Sequence, residues 1–153
     1  LMEATGLPEA QAMRARSRDF SETIHLDAGP DAWDALSAAL EERGCDLQGS
    51  GPMGTVVDTG TDKGRGVRVV RELFRRSLGE EVEAVALGDG ASDAPMFDAV
   101  DRAYLVERKG GGWAEIDLPG LERVEGVGPH GWEPVVRELL DEPVRRSRPR
   151  APR

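Results

Sequence analysis

Three charged residues in two short stretches carry the chemistry this sequence offers. Residues 87–93 read Leu-Gly-Asp-Gly-Ala-Ser-Asp, and residues 61–64 read Thr-Asp-Lys-Gly. Val82, Ala84, Val85, Ala86 and Leu87 form a short apolar run that stops at a glycine, which predicts a buried strand with Asp89 and Asp93 emerging at its carboxyl end. In open α/β sheets that edge is where ligands bind. Two carboxylates on one such loop suit a hard divalent cation held by oxygen ligands. Lys63 stands just before a predicted helix, where its ammonium and the free N–H groups of the first turn can face one anion. A cation site beside an anion site is what phosphate-ester chemistry requires. A plainer reading stands next to it: Asp89 and Asp93 belong to a helix-capping loop after a strand, which Ser92 or Asp93 serves unaided.

The elements that must position these residues fall into two patterns. Residues 7–19 predict a short, polar-faced helix with Pro8 in its first turn. Residues 21–26 alternate as a strand ended by Gly29-Pro30. Asp31 is expected to cap a helix in which Trp33, Leu36 and Leu40 recur at helical spacing, closed by Gly44. Two extended pieces, 46–50 and 54–59, flank the turn residues Gly51-Pro52. Beyond Gly60 the pattern changes. Residues 64–78 predict an amphipathic helix with Val67, Val70, Leu73 and Phe74 on one face and arginines at 65, 68, 71, 75 and 76 opposite. The strand over 82–87, a helix over 92–100 and a second apolar strand over 103–106 follow, then a flexible Gly110-Gly111-Gly112 loop and an amphipathic helix over 131–141. Helices alternating with fully apolar strands predict parallel βαβ units and a doubly wound sheet. Only two such strands are legible, too few for an open sheet covered on both faces.

Composition bounds the reading. The 153 residues suffice for a single core or for one domain with an appendage. No apolar run approaches the ~20 residues of a membrane span, and the opening Leu-Met lacks a basic-then-apolar leader, so a cytoplasmic protein is expected. A lone Cys45 fits a reducing compartment. The formal charge is −9, and the five arginines of residues 143–153 leave −14 on the rest, a body that repels nucleic acid. The Pro/Arg tail itself reads as a solvated, disordered terminus. His25 and His130 are too isolated for a metal or catalytic pair, and Trp33 and Trp132 sit at core spacing.

With these residues in place, the chain resembles the haloacid dehalogenase superfamily of phosphohydrolases, and within it the mannosyl-3-phosphoglycerate phosphatase family. Asp62-Lys63-Gly64 is similar to the superfamily's helix-start lysine motif, and Gly88-Asp89-Gly90-Ala91-Ser92-Asp93 to its acidic metal loop. Asp93-Ala94-Pro95-Met96-Phe97, the stretch from Thr5-Gly6-Leu7 to Ser21-Glu22, and Gly128-Pro129-His130-Gly131-Trp132-Glu133 add to the likeness. Two departures stand out: Ser92 occupies a position where the family carries Asn, and Gly51-Pro52-Met53 replaces a Gly-Arg-aromatic strand. The Asp-x-Asp-x-Thr strand that supplies the superfamily's nucleophile and its acid/base does not occur, nor does the Ser/Thr that follows it.

The resemblance implies an α/β fold: a partial Rossmann-like haloacid dehalogenase core, its C-terminal half, with a small α/β cap domain. The expected division is a cap over 1–59, the core half over 60–142 and the tail over 143–153. It implies a Mg²⁺-dependent phosphomonoesterase acting on a sugar-linked phosphoglycerate, inactive as this stretch alone. Lys63 would clamp the phosphoryl group, Asp89 would ligate magnesium directly, and Asp93 would serve the outer shell of the metal. Arg18, Ser21 and Glu22 would contact a substrate carboxylate or sugar hydroxyls; a solvated helix end is the plainer account of them. The exposed core face is expected to favour self-association. Another cap-bearing sugar-phosphate phosphatase and a non-catalytic ligand-binding remnant are the rival readings.

Overall fold

The computed structural model describes residues 2–50 and 53–142. The expected Gly51-Pro52 turn and the basic tail over 143–153 lie outside the described residues. The fold is α/β, and the chain divides into two units, Leu1–Thr61 and Asp62–Arg153. No helix among the described residues is long and apolar enough to cross a membrane.

The first unit opens with α1 (Met2–Thr5) and α2 (Glu9–Arg16), followed by β1 (Ser21–His25), α3 (Pro30–Glu41), β2 (Cys45–Ser50) and β3 (Met53–Asp58). The strands form an antiparallel sheet in the order β1-β3-β2, with Ser21 opposite Val57 and Leu47 opposite Val56. Trp33, Leu36 and Leu40 are half-buried along one side of α3, which packs against β2. A Cβ on Gly54 would lie 2.7 Å from the Trp33 ring, so a side chain at this position would displace the indole from the sheet. The structure corrects the expected cap: Gly29 is the N-cap and Pro30 occupies the first turn, which places Asp31 inside the helix, where its charge complements the helix dipole. Helix α2 is also shorter than expected, ending at Arg16.

The second unit contains α4 (Lys63–Leu78), β4 (Val85–Gly88), a 3₁₀ turn (Ala91–Asp93), α5 (Ala94–Phe97), β5 (Arg102–Glu107), β6 (Leu121–Val127) and α6 (Pro129–Asp141). Its sheet is parallel, in the order β4-β5-β6, with Gly88 beside Leu105 and Ala103 beside Leu121. Ala103 and Leu105 point to a cluster with Ala86, Phe97 and Ala114, lined further by Met96, Trp113, Ile116 and Leu118. The alternate residue Val106 faces α6, where it lies so close to Gly131 that a Cβ there would sit 2.4 Å from Val106 Cγ1. Leu105 and Val106 are wholly buried, so β5 is the central strand and its apolar run reflects burial on both faces.

Three expectations change here. The sheet has a third strand: β6 escaped notice because Glu122, Arg123 and Glu125 point outward and break the apolar run. The helix expected over 92–100 shrinks to the 3₁₀ turn and the single turn of α5, because the chain turns back early. Asp101 N and Arg102 N both donate to Ala84 O to start β5, while Asp101 Oδ2 accepts from Ala84 N at 2.8 Å and pairs with Arg71 of α4 at 2.8 Å. Burial works to raise the Asp101 pKa, but the Ala84 N–H and the Arg71 guanidinium outweigh it and hold the group below its ordinary value. Trp132 is 45 % exposed rather than packed in a core, and Leu140 is exposed as well.

Candidate active site

Helix α4 begins where it does because Asp62 caps it: the residue is extended, and its Oδ1 accepts from Arg65 N at 2.6 Å. Lys63 is therefore the first helical residue. Gly64 comes next, and a Cβ there would lie 2.0 Å from Pro95 O, so the first turn of α4 rests directly on the backbone at the start of α5. That contact carries Lys63 to the loop after β4, where its Nζ pairs with Asp93 Oδ1. The other oxygen of Asp93 accepts from Asp89 N at 3.0 Å and from Gly90 N at 3.1 Å. Gly88 makes room for this arrangement, since a Cβ on it would sit 2.4 Å from Asp93 Oδ2.

Asp93 is the buried charged residue of the described core, only 4 % exposed. Burial pushes its pKa up. The Lys63 ammonium and the N–H groups of Gly90 and Asp89 overcome that push, and the carboxyl stays below its ordinary value. Both of its oxygens are committed to protein donors, so Asp93 acts on the site by holding Lys63 and the two amides in place. Asp89 differs. Its side chain is exposed at the carboxyl end of β4, and among the described residues no donor reaches its carboxylate. It offers one free, hard oxygen ligand on the loop that also holds Asp93. Among the described residues no three carboxylate, histidine or cysteine side chains gather to hold a metal ion on their own. A single carboxylate oxygen holds a hard divalent cation only together with further oxygen ligands.

The structure brings Lys63, Asp89 and Asp93 together in the second unit. Arg18, Ser21 and Glu22 lie in the first. Arg18 Nε donates to Ala15 O at 2.9 Å across the end of α2, and its Nη1 donates to Ser21 Oγ at 3.3 Å. Glu22 is the neighbour of Ser21 on β1 and so faces the opposite side of the sheet, away from that pair. His25 and His130 are both exposed. Gly64, Gly88 and Pro95 are the positions that spacing did not single out. Their trace in the sequence was the Gly after Lys63, the Gly before Asp89 and the Pro in Asp93-Ala94-Pro95-Met96-Phe97.

No protein-family model matches the chain. Among curated proteins it is 31% identical over 142 residues to a glucosyl-3-phosphoglycerate/mannosyl-3-phosphoglycerate phosphatase of Persephonella marina, a match covering 93% of this chain and 52% of that protein. A protein of the same name from Methanococcoides burtonii is 31% identical over 137 residues, covering 89% of this chain and 50% of that one. The chain therefore spans about half the length of the curated relatives it matches. Among solved structures, that of Thermoplasma acidophilum 0175 superposes with a TM-score of 0.58 at 19% identity, over 86% of this chain and 57% of that one, a likeness of fold.

Proposed function

We propose that this chain, which is similar along most of its length to glucosyl-3-phosphoglycerate and mannosyl-3-phosphoglycerate phosphatases, carries the phosphate-clamping part of a phosphomonoesterase acting on a sugar-linked phosphoglycerate. One observation bears most of the weight: the Lys63 ammonium is held against buried Asp93, whose second oxygen also holds the backbone of Asp89 at the carboxyl end of a parallel strand. A cation fixed by a buried carboxylate, with a free carboxylate at the same edge, supports an electrostatic clamp.

In this reading Lys63 neutralises charge on the phosphoryl oxygens as the ester bond breaks. It does so without reorganising, because Asp93 and the Gly64 contact have already fixed its position. Asp89 donates one oxygen to a magnesium shell, and the metal when bound supplies Lewis-acid stabilisation of the same phosphoryl charge. Lys63 and the Gly90 and Asp89 amides keep Asp93 ionised, and Asp93 in turn keeps the loop in register. Arg18 and Ser21 offer a guanidinium and a hydroxyl suited to a carboxylate and a sugar hydroxyl. None of the described residues at the site is assigned the role of nucleophile, so the chain by itself is expected to release no phosphate.

The test is phosphate release from mannosyl-3-phosphoglycerate and glucosyl-3-phosphoglycerate across a magnesium titration. It compares the chain alone with the chain joined to the portion of the Persephonella marina relative that lies outside the match. Magnesium-dependent release by the joined protein only is the expected result. Release by the chain alone would show that a nucleophile among its residues has been overlooked, and metal-independent release by the joined protein would remove the role given to Asp89.

A further inference from the structure

The segment that carries the chain out of the first unit is fastened almost up to the boundary at Thr61. Strand β3 ends at Asp58, and Thr61 N donates back to Asp58 O at 3.0 Å to close a turn in which Gly60 takes a left-handed conformation, φ 75°. Thr59 N donates to Gly44 O at 2.9 Å. Two side chains of β2 hold the rest: Asp46 Oδ2 accepts from Gly60 N at 2.9 Å, and Gln48 Nε2 donates to Thr61 O. Asp46 and Gln48 alternate with Leu47, which lies with the Trp33 ring beside Gly54, so the pair occupies the sheet face turned away from that ring.

One residue further on, the hold passes to α4. Asp62 Oδ1 accepts from Arg65 N at 2.6 Å, and Asp62 O accepts from Gly66 N at 3.2 Å. The peptide plane that joins Thr61 to Asp62 is thus tied by its carbonyl to the first unit, and the plane after it is tied by its carbonyl to the helix of the second. Peptide planes are rigid, so only φ and ψ of Asp62 stand between the two. The residue that carries those two angles is the neighbour of Lys63.

We infer that Asp46 and Gln48 are positioning residues for Lys63. By holding Gly60 and Thr61 they confine the bend between the units to Asp62, whose carboxylate starts α4 and so sets where the Lys63 ammonium stands. Without them the bend moves back into Gly60, where the missing side chain permits it. The inference rests on the reading of Lys63 as the phosphate cation and adds a regulating input to it. Reorientation of the first unit, which carries Arg18 and Ser21, is delivered to the start of α4 and not absorbed in a slack connection. A cation that works by fixed placement is sensitive to displacements of about 1 Å.

The first arm of the test is amide hydrogen exchange on the full chain without substrate or metal, so that its result is independent of the phosphatase reading. Asp46→Ala removes the acceptor of Gly60 N, and Gln48→Glu keeps its shape but loses the donor to Thr61 O. Each should speed exchange about ten-fold at Arg65 and Gly66, whose amides bond to Asp62, while residues 70–75 keep their rates. Asp46→Asn retains an oxygen acceptor and should restore the original rates. In the second arm, on the joined protein, Asp46→Ala and Gln48→Glu should lower kcat about three- to ten-fold with KM unchanged, and Asp46→Asn should recover it. The inference is overturned if faster exchange is confined to residues 59–61, if it spreads evenly over the chain, or if Asp46→Asn behaves like Asp46→Ala. Gln48→Glu decides by itself should Asp46→Ala fail to fold. An inactive joined protein would count against the phosphatase reading, and the exchange rates would still decide the role of Asp46 and Gln48.

Discussion

The residues proposed to handle phosphate and those proposed to recognise the rest of the substrate are held in contrasting ways. Lys63, Asp93 and the backbone of Asp89 are interlocked: a capped helix start, a glycine contact with Pro95 and one buried carboxylate bonded to a side chain and two amides leave little freedom. Arg18 and Ser21 share one long hydrogen bond on an exposed surface, and Glu22 faces the other way. Groups that must meet charge developing in a transition state gain from fixed geometry. Groups that grip a substrate can order as it arrives. Substitutions in the first set should therefore damage catalysis or stability strongly, and those in the second should show mainly in KM.

The largest effect is expected at Lys63. In the joined protein, Lys63→Ala should lower kcat by about 10² to 10³ fold, as removal of a preorganised electrostatic group does. Its partner Asp93 is only 4 % exposed, so loss of the ammonium should also lower the urea midpoint, because the buried carboxylate keeps only two amide donors. A large loss of stability with unchanged kcat would make Lys63 a structural residue. Asp93→Ala comes next. It strips the acceptor from two partly buried amides and should destabilise the second unit by about 2 kcal/mol in urea melts. The same residue carries a pH signature. Its folded-state pKa is depressed, so its stabilisation is complete above the unfolded value, near the ordinary 3.8, and disappears as pH falls through the folded value. The wild-type advantage over Asp93→Asn should therefore be constant from pH 7 to 5 and fade below about pH 4. A constant difference down to pH 2 would mean that the carboxylate charge contributes nothing.

Gly64→Ala should cost about 1 to 2 kcal/mol, because the added carbon meets a backbone oxygen that cannot rotate away. Lifting α4 off Pro95 should also loosen the Lys63–Asp93 pair, so kcat should fall with stability; retention of full kcat would separate the contact from the site. Arg18→Ala stands last. Its exposed guanidinium should contribute within about 0.5 kcal/mol to stability, with any functional loss in KM and not in kcat. A drop in kcat equal to that of Lys63→Ala would erase the contrast between the two sets.

Much of this was legible in the residues. The β4 run stops at a glycine followed by an acid, and the α4 pattern starts at Asp-Lys-Gly, so the strand, the helix and the neighbouring positions of Lys63 and the acidic loop followed from periodicity and punctuation. The parallel sheet followed from apolar runs alternating with helices. Strand β6 did not, because a solvent-facing edge carries alternating charge and loses the apolar run that marks its neighbours. The role of Asp93 was hidden for a different reason. Spacing shows that two acids share a loop; which one turns inward depends on room left by Gly88 and on the amides that converge there, and both are tertiary facts. That Glu22 faces away from Arg18 and Ser21 was hidden by adjacency in the chain, since neighbours on a strand face opposite ways.

Asp101 has a consequence in time as well as in space. Its carboxylate links Ala84, 17 residues earlier, with Arg71, 30 residues earlier, and so joins the start of β4, the entry to β5 and the polar face of α4 within one short stretch of chain. Closing such modest loops costs little entropy, and contacts of low sequence separation form fast. This corner should be assembled when the folding barrier is crossed, with β6 and α6 joining afterwards. In stopped-flow experiments on the full chain, Asp101→Ala should slow refolding and leave unfolding nearly unchanged, whereas Val135→Ala in α6 should chiefly speed unfolding. The reverse pattern would place the nucleus at the other edge of the sheet.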